Sequence, residues 1–273
     1  DVRVERFALG AHELGQLEVR AHNQQGLWQL EHFALDHPDA HLSGNGFWQP
    51  GKAARTRLAF LLDTADVGRF IQALGYGHAV RGGRAKLAGT LGWNGAPTHI
   101  DYSSLGGTLA LDASKGQFEQ LEPGVGRLLG ILSLQALPRR ITLDFRDVFS
   151  QGFAFDRIAG NVTVDAGVMH TKEIAIDGAA ARVRMQGSVD IAAETQNLRV
   201  KVQPTLAETV AIAAAAGMVN PVAGAVTYLG QKVFGDPIEK LFAYEYRITG
   251  NWADPVVEKV GSAVSALPGL PGR

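Results

Sequence analysis

The sequence predicts a mainly β protein built on one elongated, curved antiparallel sheet whose apolar face forms a taco-like groove. Three observations predict it: apolar and polar residues alternate along most of the chain, turn residues separate the alternating runs, and helical patterns are few. An antiparallel sheet of this kind has one apolar face and one solvated face. Because helices do not alternate with strands, a doubly wound parallel sheet is not expected.

The alternating runs begin at the first residues, where positions 2–7 read Val-Arg-Val-Glu-Arg-Phe. A later run places Ile141, Leu143 and Phe145 between polar residues. The apolar members of the other runs are Leu17, Val19, Phe33, Leu35, Leu58, Phe60, Leu62, Leu109, Leu111, Val162, Val164, Ile174, Ile176, Val183, Met185, Leu198, Val200, Val202, Tyr244, Tyr246 and Ile248. An ordinary β-sandwich with a helical insert is the alternative interpretation, since rows of apolar strand residues often face a second sheet.

Two segments are predicted to be short helices. The first covers residues 64–74, where Asp63 or Thr64 can cap the first amides and Gly75 suits the left-handed stop position. The second covers residues 124–137 and lies between two prolines.

A third helical segment, at residues 209–230, contains no charged residue and is rich in Ala and Gly. Asn220 and Pro221 divide it, because Asn is a good N-cap and Pro suits the first helical position. We expect a helical hairpin rather than one membrane-spanning helix. The apolar stripe and end of its second arm are predicted to contact a membrane or to cap the end of the sheet: Val222, Val226, Leu229, Val233 and Phe234.

These elements divide the chain into a groove region at residues 1–203, a hairpin with a closing strand at 204–255, and a flexible tail at 256–273. An imperfect repeat puts a Trp shortly before a Pro at a strand end. The repeat occurs at residues 46–50, 92–97 and 250–255. Repeated sheet units of this kind build elongated structures.

The composition argues against several function classes. The net charge of −1 indicates no basic surface for nucleic acid, and the absence of cysteine excludes disulfides and thiolate chemistry. Apolar residues are 46% of the 273 residues, which is enough to bury a core. The chain starts at Asp1 without Met or a signal peptide, and we interpret it as a fragment of a longer protein.

Patterns for catalysis or metal binding are weak. His37 and His41 are four residues apart, but the proline between them disfavours a helix and favours a polar turn over a metal site. The Gly-rich stretch at 124–130 lacks both the spacing and the βαβ context of a dinucleotide loop. Asp144 is predicted to face solvent on a strand and Asp147 to begin a turn, so the two carboxylates share no pocket. We therefore predict no catalytic residue, no metal and no cofactor, and a protein that is not an enzyme.

Several motifs carry a family resemblance. The most specific stretch, residues 116–156, contains Gly-Gln-Phe-Glu-Gln-Leu-Glu-Pro-Gly and later Leu-Asp-Phe-Arg-Asp-Val-Phe. Residues 89–93 read Gly-Thr-Leu-Gly-Trp, and Asn220-Pro221 and residues 244–252 continue the pattern. Between residues 60 and 255 the chain resembles the C-terminal region of bacterial AsmA-like proteins of the YhdP type.

The resemblance implies a periplasmic part of an inner-membrane-anchored Gram-negative protein, similar to chorein-type bridge proteins, that carries phospholipid in an apolar β-groove. It also implies phospholipid movement towards the outer membrane and upkeep of its barrier, with this chain at the distal end. Under this hypothesis acyl chains lie against Leu58, Phe60, Leu62, Leu109, Leu111, Leu143, Phe145, Ile174, Ile176, Val183, Met185 and Val200. The competing hypothesis is an envelope scaffold or adaptor that binds a protein partner through an exposed sheet edge.

Overall fold

The computed structural model describes residues 1–76, 79–119, 152–205 and 243–262. Within these ranges the chain forms one thirteen-stranded sheet, the helix α1 at Val67–Ala73 and a 3-10 turn at Tyr102–Ser104. The strands are β1 (Val2–Leu9), β2 (His12–Gln24), β3 (Leu27–His37), β4 (Ala40–Gln49), β5 (Arg55–Thr64), β6 (Val80–Asn94), β7 (Gly106–Phe118), β8 (Phe153–Asp165), β9 (Val168–Asp177), β10 (Ala181–Asp190), β11 (Thr195–Pro204), β12 (Tyr244–Asn251) and β13 (Val256–Ser262).

Each strand pairs antiparallel with the strands before and after it in the chain, so the sheet is a meander from β1 to β13. Open sheets rarely exceed about 10 strands without curling, and this sheet is open and curved. A sandwich would divide the strands between two sheets, whereas all thirteen described strands belong to one. The predicted mainly β fold with a curved antiparallel sheet is therefore confirmed.

Successive connections lie at opposite ends of the strands, because the strands alternate in direction. The strand ends line up along two long sides of the sheet, which we call edges. One edge carries the turns that close the β2–β3, β4–β5, β6–β7, β8–β9, β10–β11 and β12–β13 pairs. All four tryptophans of the chain, Trp28, Trp48, Trp93 and Trp252, lie at these strand ends, and we call this edge the tryptophan edge. The opposite edge carries α1 between β5 and β6, and we call it the helix edge.

The helix predicted at residues 64–74 is α1. Its N-cap is Asp66 rather than Asp63 or Thr64, because β5 continues through Thr64 and leaves both residues in the strand. The Asp66 side chain accepts a hydrogen bond from the backbone N–H of Arg69, with an N–O distance of 3.0 Å.

α1 packs onto the helix edge. Phe70 is buried, and its ring meets the ring of His37 edge-on at a centroid distance of 5.4 Å. Arg69 forms an ion pair with Asp39 in the β3–β4 turn, with an N–O distance of 3.0 Å. Gly75 follows the helix with a φ of +87°, which is the predicted left-handed stop. The helix edge of β3 to β6 is thus covered.

β4, β6 and β13 differ from the alternating runs found in the sequence. In β4 and β6 glycines such as Gly44 and Gly89 take apolar-side positions, opposite Phe60 in both cases, and interrupt the apolar pattern. β13 corrects the predicted tail, because residues 256–262 pair with β12 instead of forming a flexible segment. Three of these seven residues are valine, which favours strands because it is β-branched.

Several predictions lie outside the described residues. They concern the helix at 124–137 with its Gly-rich start, the run at 141–146 and the neighbouring carboxylates, the helical hairpin at 209–234, and residues 263–273 of the tail. These stay predictions.

Candidate functional site

The register of the sheet brings the predicted groove residues together on one face. Directly opposed residues of an antiparallel ladder point to the same side. One row across β5 to β12 consists of Leu62, Leu87, Leu111, Gly160, Ile174, Met185, Val200 and Tyr246. We call this side the apolar face. The predicted residues that it holds are Leu58, Phe60, Leu62, Leu109, Leu111, Ile174, Ile176, Val183, Met185 and Val200. Leu143, Phe145 and the predicted membrane-contact set Val222, Val226, Leu229, Val233 and Phe234 lie outside the described residues.

Burial divides the apolar face into two halves. In β8 to β12 most side chains on this face are buried, and Leu198, Val200 and Tyr246 are each 2% exposed. In β2 to β7 most of them are only half-buried, as are Leu58 and Phe60. We call β8 to β12 the closed half and β2 to β7 the open half. The open half is therefore the part with apolar surface left to cover.

Glycines determine the surface shape of the open half. A Cβ added at Gly44 would lie 2.7 Å from Cε1 of Phe33, and one at Gly89 would lie 2.6 Å from Cδ2 of Leu109. Real atoms do not approach so closely, so only glycine lets these large side chains lie over the neighbouring strand. Apolar side chains thus cover backbone positions that carry no side chain of their own.

The opposite face is polar and bears charged pairs between neighbouring strands. Lys86 and Asp63 are 3.1 Å apart, and Arg199 and Glu245 are 3.1 Å apart, with all four side chains well exposed. Each such pair contributes about 0.2–1 kcal/mol to the sheet. This face is the solvated one that the alternation predicts.

A shallow depression of about 660 Å³ crosses β4 to β8. Most residues that line it, among them Ala59, Thr90, Thr108 and Ala110, alternate with apolar-face positions and so have side chains on the polar face. The depression therefore lies mainly on the polar face, although Phe60, Leu109 and Val162 of the apolar face also line it.

A row of tryptophans on the apolar face was not identified as a site from the sequence. The register places Trp28 opposite Trp48, Trp48 opposite Thr56, and Thr56 opposite Trp93 at the tryptophan edge. Trp28 is 42% exposed, whereas Trp93 is buried and its Nε1 donates to the carbonyl oxygen of Ala96 at 3.0 Å. The Trp-Pro repeat is the sequence signal for Trp48 and Trp93, and it does not include Trp28.

The closed half contains buried polar side chains. Gln196 is 5% and Tyr246 is 2% exposed, and their side-chain polar atoms have no hydrogen-bond partner among the described residues. Burial, with a smaller effect of Tyr244, raises the pKa of Tyr246 to about 12, so its hydroxyl is neutral at physiological pH. Isolated neutral groups of this kind do not form an acid–base pair.

The polar turn predicted around His37 and His41 is confirmed, since β3 ends at His37 and β4 begins at Ala40. The backbone N–H of Asp39 donates to Nδ1 of His37 at 3.0 Å. Across the described ranges, no group of three or more His, Asp or Glu side chains is placed to hold a metal ion. In the same part of the chain, no helix is long and apolar enough to span a membrane.

Comparison with known proteins adds the family. A family model described as YhdP protein matches residues 1–257. The intermembrane phospholipid transporter YhdP of Escherichia coli (strain K12) is 33% identical over 229 residues, which make up 83% of this chain and 18% of that protein. The chain thus spans under a fifth of the length of this curated relative. No solved structure matches.

The family match covers β1 to β12 and the first two residues of β13. It therefore includes both halves of the apolar face and the tryptophan edge. On these grounds the chain belongs to the YhdP family.

Proposed function

We propose that this chain is a non-enzymatic part of an intermembrane phospholipid transporter and shields acyl chains on the open half of its apolar face. The observation that carries the proposal is the half-buried state of Leu58, Phe60 and their neighbours in a chain of this family. Each CH₂ group moved from water onto such a surface gains about 0.8 kcal/mol. The charged headgroup stays in water, so the lipid needs no chemical change.

The polar face supports the same proposal by contrast. Its exposed ion pairs, such as Asp63–Lys86, keep that face in water. A sheet with one wet face and one incompletely covered apolar face holds an apolar ligand on one side only. The predicted contacts of Leu58, Phe60, Leu62, Leu109 and Leu111 with acyl chains are part of this proposal.

Adjacent residues on opposite faces provide the test. Phe60 lies on the apolar face, and Leu61, which is 42% exposed, lies on the polar face. The 273-residue chain is purified without harsh detergent and analysed by native mass spectrometry with lipid extraction. We expect Phe60→Asp to lose bound phospholipid and Leu61→Asp to retain it. A folded, lipid-free wild-type chain, or equal retention by both variants, would contradict the proposal.

We further propose that the chain acts in the periplasm, at the outer-membrane end of a bridge anchored in the inner membrane. The resemblance of residues 116–156 to the C-terminal region of such proteins supports this position. In Gram-negative cells whose full-length family member carries this segment, Phe60→Asp is expected to make the outer membrane permeable to large antibiotics. A photo-crosslinker at Val226 is expected to capture outer-membrane components more than one at Val4. Stronger capture of outer-membrane components at Val4 than at Val226 would contradict the proposed outer-membrane position.

A protein adaptor is the second candidate function, and the edge strand β13 favours it. Among the described strands β13 pairs only with β12, and Val256 and Val260 are each 53% exposed. A partner strand can add to such an edge. If the adaptor function is correct, a crosslinker at Val256 captures one discrete envelope protein, and adding Val260→Pro abolishes capture without changing lipid content.

A further inference from the structure

The tryptophan edge of the open half has the composition of a lipid–water boundary. Trp28, Trp48 and Trp93 share one row on the apolar face, and Trp28 is 42% exposed at its outer end. An indole ring combines an apolar body with an N–H donor, and tryptophan is enriched where acyl chains meet headgroups. Trp28 is the member of the row that reaches water, because Nε1 of Trp48 is buried without a hydrogen-bond partner among the described residues and Nε1 of Trp93 donates to Ala96.

Charge distinguishes the two halves of this edge. In the open half, the turns at residues 24–27 and 49–55 contain Lys52 and Arg55 and no carboxylate, and the β6–β7 turn contains one carboxylate, Asp101, which accepts from the hydroxyls of Ser103 and Ser104. In the closed half, the turns carry only acidic charges, at Asp165, Asp190, Glu194 and Asp254. A phosphate group is attracted to the first set and repelled by the second.

Lys52 is the cation best placed for a ligand. Arg55 donates to Oε1 of Gln49 at 2.9 Å and lies 5.7 Å from the ring centre of Phe47, so it is already engaged. Lys52 is exposed, and no carboxylate of the described residues lies within ion-pair distance of it. Glu31, the acidic residue of β3 closer to this edge, pairs with His22 at 3.0 Å.

The dimensions of the open half suit a lipid lying along the strands. From Thr56 at the tryptophan edge to Thr64 at the helix edge, β5 spans eight residue steps, which is about 26 Å at about 3.3 Å per residue. One acyl layer of a bilayer is about 15 Å thick, half of its hydrocarbon core. Leu58, Phe60 and Leu62 occupy this interval, and α1 covers its far end.

We propose that bound phospholipid places its phosphate at the tryptophan edge of the open half, beside Trp28, Trp48 and Lys52, with its acyl chains directed towards the helix edge. The inference rests on the proposed function and adds the orientation of the lipid and the residues that set it. The headgroup moves along this edge while the acyl chains stay on the apolar face.

Tryptophan fluorescence tests the orientation, because every tryptophan of the chain lies at the same edge. The variant Trp93→Phe/Trp252→Phe keeps only Trp28 and Trp48. It is loaded with phosphatidylcholine that carries a nitroxide quencher either on the headgroup or at the acyl terminus, and loading is confirmed by native mass spectrometry. We expect the headgroup label to quench more strongly. The variant Trp28→Phe/Trp48→Phe/Trp93→Phe, which keeps only Trp252 in the closed half, is expected to lose that difference.

Lys52→Glu provides a second, independent measurement. It is expected to weaken binding to phosphatidylglycerol vesicles about fivefold, whereas Lys172→Glu, on an exposed position of β9, leaves binding unchanged. Stronger quenching by the acyl-terminal label, or equal quenching by both labels on a loaded chain, would overturn the orientation and leave lipid binding intact. If the chain cannot be loaded with phospholipid, both the proposed orientation and the proposed function are wrong.

Discussion

The closed and open halves of the sheet have the same strand geometry and register but differ in how much apolar surface reaches water. In the closed half Leu198, Val200 and Val202 are each 2% exposed, and their neighbours form one continuous buried cluster. In the open half the corresponding residues, such as Leu58 and Leu109, remain half-buried. The same alternation of residue types thus produces a core in one region and a surface in the other.

This difference separates stability from binding within one sheet. Burying a Leu or Val side chain fully contributes about 1.5–3 kcal/mol, so the closed half contributes more per residue to folding. In repeat-like structures each unit is stabilised mainly by its neighbours. The β7–β8 ladder, which joins the halves through pairs such as Leu109 and Val162, lets the closed half stabilise the open one.

The largest expected effect comes from equal truncations in the two halves. Leu198→Ala removes a fully buried side chain and is expected to lower the free energy of unfolding by about 2–5 kcal/mol. Leu58→Ala is expected to cost about 1 kcal/mol, because part of its surface is already in water. Urea unfolding followed by circular dichroism measures both. Equal losses would show that the two halves do not differ energetically.

The next effect is confined to the closed half and depends on pH. Burial raises the pKa of Tyr246 to about 12 from its ordinary value of 10.0. Below pH 10 the phenol is neutral in the folded and unfolded states. Between about pH 10 and 12 it ionises only when unfolded, so stability falls by about 2–3 kcal/mol as pH rises through this window.

Tyr246→Phe is the control for this pH dependence. It is expected to reduce the decline above pH 10 and to leave stability at pH 7 unchanged or higher, since the hydroxyl has no hydrogen-bond partner among the described residues. Urea unfolding at pH 7, 10 and 11.5 provides the measurement. If stability falls equally above pH 10 in Tyr246→Phe, groups other than Tyr246 cause the fall.

A smaller loss of stability is expected when a glycine that shapes the surface of the open half is replaced. A Cβ at Gly89 would lie 2.6 Å from Leu109 and 2.7 Å from the carbonyl oxygen of Thr108, which has to move. Gly89→Ala is expected to cost about 1–3 kcal/mol. Gly92→Ala, on the polar face of the same strand, is the control. A Cβ at Gly92 would lie no closer than 3.3 Å to any neighbour, the nearest being the carbonyl oxygen of Thr56. Equal stability of the two variants in urea unfolding would refute the role of glycine.

Alternation identified the apolar face but not its division into two halves. The pattern at Leu58 and the pattern at Leu198 look alike in sequence, because a period of two residues reports the face and not what covers it. β6 escaped prediction because Gly89 interrupts its apolar-face positions, and β13 because a loop-like composition beyond residue 262 masked it. The row of Trp28, Trp48 and Trp93 needed the strand register, which sequence spacing does not supply.

The smallest expected effect is at the helix edge of the open half and separates two cap assignments. Asp66 accepts from the backbone N–H of Arg69, whereas Asp63 lies in β5 and pairs with Lys86 across exposed surface. Asp66→Ala is expected to lower the free energy of unfolding by about 1 kcal/mol, and Asp63→Ala by a few tenths at most. Lipid content should not change in either variant, because both residues lie at the edge opposite the tryptophans. Urea unfolding and native mass spectrometry measure the two quantities together. A larger loss of unfolding free energy for Asp63→Ala would indicate that Asp63, and not Asp66, caps α1. A loss of lipid in Asp66→Ala would make the helix edge part of the binding surface.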